Sequence, residues 1–268
     1  VNLQCMKEIL EEDFSEQEQD VINSYLDMSI NYLKSQHAVG EEAKEEKPYG
    51  ELMQNYMNAL LAGDRQKAST LIFDAVERGV DIKDIYLHVF QESQYEIGKL
   101  WQRRKITVAQ EHYSTAATQL IMSRLYPLIL TAPGKKKKFI ATCVGGELHE
   151  LGVRMVADFM EMDGWDTHYL GANMPTDSIV HTVAVQKPDV LGISATMTYH
   201  LSKAEELIRR IHDTLKDKAP KIIVGGYPFR IDEGLWQKIE ADAYAMDATD
   251  AVQKVKELHA GTGGDTNG

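Results

Sequence analysis

Two cysteines in 268 residues, Cys5 and Cys143, are too few for a disulfide framework, and Cys143 falls inside an apolar run that reads as a buried strand. No apolar run approaches the length of a membrane span, and the amino terminus lacks the charged-then-apolar pattern of a signal segment. A cytoplasmic protein with no membrane partner is expected. Positive charge is also in short supply: 29 Lys and Arg stand against 41 Asp and Glu, a formal net charge of −12. Phosphate backbones are bound by clustered cations that release counterions, so no DNA partner is expected of this chain alone. The basic run Lys135 to Lys138 precedes a strand at a domain junction and reads as a solvated linker.

What the chain does have is pattern. Its 43% hydrophobic and 26% charged residues suit one or two globular domains with a sizeable core. Residues 1–47 read as an amphipathic helix over Ser15 to Gln36 followed by the charged linker Gly40 to Pro48. Over 48–131 four helical patterns succeed one another. The first ends at Gly63, the second is capped by Asp64 and ends at Gly79, and the third spans about Ile82 to Trp101. The fourth opens on Thr107 with Gln110 as a capping box. Short connections make these a four-helix bundle, with Tyr56, Met57, Met122 and Tyr126 assigned to its core before any pocket.

Over 136–260 strands alternate with helices: Phe139 to Val144, Asp166 to Leu170, Val190 to Ser194, Lys221 to Val224 and Ala243 to Met246, with helices from about Leu151, Thr176, Ser202, Asp232 and Thr249. Such alternation predicts a five-stranded parallel sheet with right-handed crossovers. The fold class is therefore α/β plus all-α, a bundle cap followed by the sheet. Residues 261–268 are Gly-rich and polar and read as a disordered tail.

The first strand of the sheet domain runs into Gly145-Gly146-Glu147-Leu148-His149-Glu150-Leu151-Gly152, at the carboxyl edge where open α/β folds bind ligands. After Gly152 come 41 residues and then Ser194-Ala195-Thr196; 28 more lead to Gly225-Gly226. These motifs and intervals resemble the cobalamin-binding domain shared by methionine synthases, corrinoid carrier proteins, mutases and cobalamin photoreceptors, over roughly residues 50 to 260.

The resemblance implies a flavodoxin-like sheet order and cobalamin as cofactor, with His149 as the lower axial cobalt ligand. A corrin already supplies four equatorial nitrogens, so neutral imidazole is the natural protein ligand. Glu147 stands where the family has Asp and is expected to accept from the second ring nitrogen. Gly152, Ser194, Thr196, Gly225 and Gly226 are expected to leave room for the cofactor's nucleotide tail. Gly171 to Pro175 is similar to a loop near the corrin rim.

In the bundle, Trp101 is followed by nine residues and then Glu111-His112. This resembles the Trp-x9-Glu-His signature of CarH-type adenosylcobalamin photoreceptors. It implies that Trp101 and Glu111 pack around an adenosyl group and that His112 becomes the upper cobalt ligand after photolysis. The expected function is then light sensing through adenosylcobalamin, with a bilin as an allowed second chromophore and no catalytic turnover. Output would go to a partner protein or an upstream domain, and a homo-oligomer is allowed. The first 45 residues hold no counterpart of a winged helix. The alternative is a corrinoid carrier for methyl transfer, a component of a methyltransferase system; a mutase subunit is the third reading.

Overall fold

The computed structural model describes residues 48–130, 137–232 and 234–260, with seven helical positions at 18, 19, 22–24, 26 and 27. Those seven fall within the expected first helix. The rest of that helix, the linker 40–47, the junction 131–136 and the tail 261–268 lie outside the described residues. The chain divides into two units, Val1–Pro48 and Tyr49–Gly268, and the bundle and sheet both belong to the second.

Helix α1 (Gly50–Leu61) buries Tyr56, Met57, Ala59 and Leu60. Asp64 then caps α2 (Arg65–Glu77), accepting from the Lys67 amide at 2.9 Å and so satisfying a donor that every helix start leaves over. The third helix has three parts: α3 (Ile82–Asp84), a π-helical stretch (Ile85–Gln91) and α4 (Glu92–Gln102). Apolar spacing gives the whole helix but not the wider winding, which turns Ile85, Tyr86, Val89 and Phe90 into the core. Helix α5 (Val108–Ile129) opens on the expected capping box. The Gln110 amide donates to Thr107 Oγ1 at 3.2 Å and the Thr107 amide to Gln110 Oε1 at 3.0 Å. Tyr56, Met57 and Met122 are core, whereas Tyr126 is partly exposed.

From residue 138 strands and helices alternate: β1 (Lys138–Cys143), α6 (Leu151–Met162), β2 (Asp166–Gly171), α7 (Thr176–Gln186), β3 (Val190–Ser194), α8 (Leu201–Leu215), β4 (Lys221–Gly225), α9 (Tyr227–Ile231), α10 (Leu235–Lys238), β5 (Ala243–Ala245) and α11 (Ala248–Ala260). Every pairing is parallel and the order is β2-β1-β3-β4-β5, the flavodoxin-like one. Alternate residues of β1 serve opposite faces: Phe139, Ala141 and Cys143 pack with α6 and α11, Ile140 with α7 and α8. Gly192 makes room for Phe139, since a Cβ there would sit 2.7 Å from the ring. The single helix expected from about Asp232 is replaced by α9 and α10. Asp232 Oδ1 accepts from the Gly234 amide at 3.0 Å, a local turn that competes with helix.

Helix α6 belongs to two cores. Val153, Ala157 and Met160 face the sheet, while Met155 and Phe159 enter the bundle core, where Tyr86 lies 5.9 Å from Phe159 ring to ring. Polar bridges follow the same helix: Tyr86 donates to Asp158 at 2.8 Å and Arg154 to Ser123 at 2.7 Å. Because the neighbouring strands β1 and β3 send their helices, α6 and α8, to opposite faces, the loops after them part and leave a crevice. No helix among the described residues is long and apolar enough to cross a membrane.

Candidate functional site

The loop after β1 turns at Gly145-Gly146 and buries the next side chain, Glu147, completely. A buried carboxylate needs donors, and Glu147 has five. Oε1 accepts from the His149 amide at 3.0 Å and from His149 Nδ1 at 2.5 Å. Oε2 accepts from the Thr196 and Met197 amides at 2.7 and 3.1 Å and from His200 Nδ1 at 2.9 Å. Burial by itself pushes the pKa of this carboxyl up. The His200 hydrogen bond, followed by those of His149 and Met197, outweighs burial and holds the pKa at about 2. Glu147 is therefore anionic at neutral pH.

An anionic acceptor fixes the tautomer of its neighbour. His149 carries its proton on Nδ1 and leaves the Nε2 lone pair free, on a side chain that is 60% exposed. The longer Glu, in place of the family's Asp, reaches the ring. One oriented, accessible imidazole nitrogen is what a metal already bound by four equatorial nitrogens can accept from a protein.

The crevice beside it is walled by backbone. Ser194 and Ala195 are buried, and the Ala195 amide donates to the Gly225 carbonyl at 3.0 Å. Gly226 has φ 120°, and a Cβ there would lie 2.2 Å from the Ala195 carbonyl oxygen. Only glycine fits. Gly152, at the start of α6, faces open space. The residues present thus fit a cofactor that takes one axial imidazole and needs a slot with small walls.

Other partners of the loop come from the expected rim loop and from residues outside the expected site. Asn173, in the expected rim loop, accepts from the Gly146 amide at 2.7 Å and donates its own amide to the Glu147 carbonyl at 2.9 Å. Glu150 accepts from Tyr169 at 2.7 Å, from the Ala172 amide at 3.0 Å and from Gln119 of the bundle at 3.0 Å. His200 is the largest omission. Its only sequence signal is its place in the loop after β3, at the same carboxyl edge as His149.

In the bundle, Trp101 occupies the last turn of α4 and is 46% exposed. Glu111 and His112 stand in the first turn of α5, where His112 Nδ1 meets Glu111 Oε2 and Thr115 donates to Glu111 at 3.4 Å. Among the described residues no hydrogen bond or ring contact joins Trp101 to either. Their spacing is produced by the connection itself. The Arg104 amide donates to the Trp101 carbonyl at 2.8 Å, Arg104 takes φ 56°, and the Thr107 capping box starts α5.

The B12 binding domain family matches residues 137–256, and a second B12 binding domain family matches residues 52–126. A dimethylamine corrinoid protein of Methanosarcina barkeri is 27% identical over 213 residues, covering 78% of this chain and 98% of its own. A trimethylamine corrinoid protein of Methanosarcina acetivorans is 23% identical over 209 residues, 77% of this chain and 95% of its own. The solved structure of the Methanosarcina barkeri monomethylamine corrinoid protein shares the fold, with a TM-score of 0.70 at 22% identity over 79% of this chain and 100% of that one.

These relatives overturn the expectation of a light sensor. In this chain the Trp-x9-Glu-His spacing spans a helix end, a tight turn and a capping box, and the spacing by itself does not report a photochemical use. The adenosyl group, the bilin and the unspecified output protein entered through that resemblance and are not supported by these relatives. What stands is the cofactor and its housing: the chain is a cobalamin-binding protein built from a helical and a Rossmann-like B12-binding domain.

Proposed function

We propose that this chain is a corrinoid carrier for methyl transfer, working with methyltransferases on methylated amines. The observation that carries the reading is the similarity to methylamine corrinoid proteins along 78% of this chain and 98% of the relative. Bound cobalamin would supply a cobalt centre that takes a methyl group from one partner and gives it to another. His149 Nε2 is its lower ligand, and Glu147 holds the ring in the required tautomer. Ser194, Thr196, Gly225, Gly226 and Gly152 line the slot for the nucleotide tail. Trp101, Glu111 and His112, gathered at the joint of α4 and α5, are proposed to border the upper side.

The test loads the chain with hydroxocobalamin, reduces it and offers labelled mono-, di- or trimethylamine with the matching methyltransferase. Label retained by the wild type and lost on unloading the cofactor is expected. Absence of retained label with all three amines overturns the carrier reading. His149→Ala should lose the imidazole-ligated absorption spectrum and bind roughly 10- to 100-fold more weakly; an unchanged spectrum and affinity would remove His149 from the cobalt.

A further inference from the structure

We infer that His200 is a positioning residue for the lower ligand, acting through Glu147. The inference rests on His149 as that ligand, and it concerns what holds the carboxylate rather than what the carboxylate holds.

The five donors to Glu147 divide by oxygen. Oε1 serves His149 alone, through its amide and Nδ1. Oε2 is anchored on the loop after β3, by the Thr196 and Met197 amides and by His200. The carboxylate therefore ties a loop of one strand to a loop of its neighbour. His200 is the side chain among these anchors, and it is built in firmly. It is 4% exposed, ends the 3-10 turn Thr198–His200 and stands directly before α8, and its amide donates to the Met197 carbonyl at 2.9 Å. The Tyr199 ring meets it edge-on at 4.3 Å.

The His200 ring also lies close to the turn that delivers Glu147, leaving no room there for a side chain. A Cβ added at Gly146, which has φ 85°, would lie 3.1 Å from His200 Nε2 and 2.9 Å from Lys203 Nζ. Lys203, on α8, donates to the Gly145 carbonyl at 2.8 Å. His200 thus stands beside the turn that carries Glu147 and bonds the carboxylate itself. Without His200 the carboxylate keeps the Thr196 and Met197 amides on Oε2 and the two His149 donors on Oε1 but loses its side-chain anchor on the loop after β3; a donor from an immobile ring narrows a terminal torsion that is intrinsically broad. Metal-bound imidazoles depend on such outer partners for orientation and basicity.

Three variants separate this role from general packing. His200→Leu removes the donor at similar volume, His200→Asn keeps an N–H close to the position of Nδ1, and His149→Ala combined with His200→Leu closes a double-mutant cycle. Hydroxocobalamin affinity and the absorption spectrum are the readouts, with the nitrogen splitting in the paramagnetic resonance spectrum of the one-electron-reduced protein and thermal melts beside them. His200→Leu should bind roughly 10- to 100-fold more weakly and lose imidazole ligation. His200→Asn should bind close to wild type, and the double variant no more weakly than His149→Ala. Full imidazole ligation at wild-type affinity in His200→Leu overturns the inference alone. So does an additive double variant, which would make His200 a packing residue. Wild-type protein that binds cobalamin without imidazole ligation overturns the lower-ligand reading, and this inference with it.

Discussion

Gly226 has no side chain because the Ala195 carbonyl occupies its place. A Cβ 2.2 Å from that oxygen must move the backbone of β4 or β3, and φ 120° adds strain of its own. Gly226→Ala should cost about 1–3 kcal/mol or more in stability and lower cobalamin affinity. Melts and titrations check it, and an unaltered melt with unaltered binding would refute the packing argument. Asp158 makes a different case, since burial pushes its carboxyl up to about 6 against the hydrogen bond from Tyr86 and the charge of Arg154. The folded form then keeps its proton while the unfolded one, at 3.8, has released it, so this group lowers stability as pH rises from about 3.8 to about 6. Asp158→Asn retains an acceptor for Tyr86 and should flatten that part of the stability profile. Melting the variant and the wild type across the window tests the sign; parallel curves would count against it.

Helix α5 begins where it does because Thr107 and Gln110 satisfy each other's loose amides. Thr107→Ala should cost about 1 kcal/mol, while Thr107→Ser keeps most of the cap. Equal melting points for the two would argue that the box contributes nothing. That box was legible in the sequence, as were the five strands and their helices, because caps and apolar runs are local signals. The π-helical stretch Ile85–Gln91 was not, since one extra residue per turn hardly disturbs apolar spacing. Nor was the split into α9 and α10, which hangs on one Asp232 side chain. At the site, Glu147 and His149 were readable together because a single residue, Leu148, separates them. His200 was hidden 53 positions from the carboxylate it serves, and sequence separation carries no hint of that contact. The spacing of Trp101, Glu111 and His112 was legible, but the light-sensing function attached to it was not supported by the corrinoid relatives.

At the scale of the whole molecule, bundle and sheet meet through α6, whose Phe159 is 2% exposed in the bundle core. Truncation at Phe159 should therefore be felt by both parts: Phe159→Ala is expected to cost about 3–5 kcal/mol while unfolding remains a single transition. Two separated transitions, with the sheet melting as in wild type, would show that the layers do not share their stability. The helix that begins just behind the His149 loop is also the bundle's floor, with Gln119 tied to Glu150 at its N-cap. For protein engineering this relocates the seam between modules. A chimera that exchanges helical caps between relatives by cutting in the stretch 131–136 would leave the foreign cap resting on a native α6. The outward residues Met155 and Phe159 have to travel with the cap, and Val153, Ala157 and Met160 have to stay with the sheet. The crossover that respects the packing runs lengthwise through one helix, where no splice in the sequence can follow it.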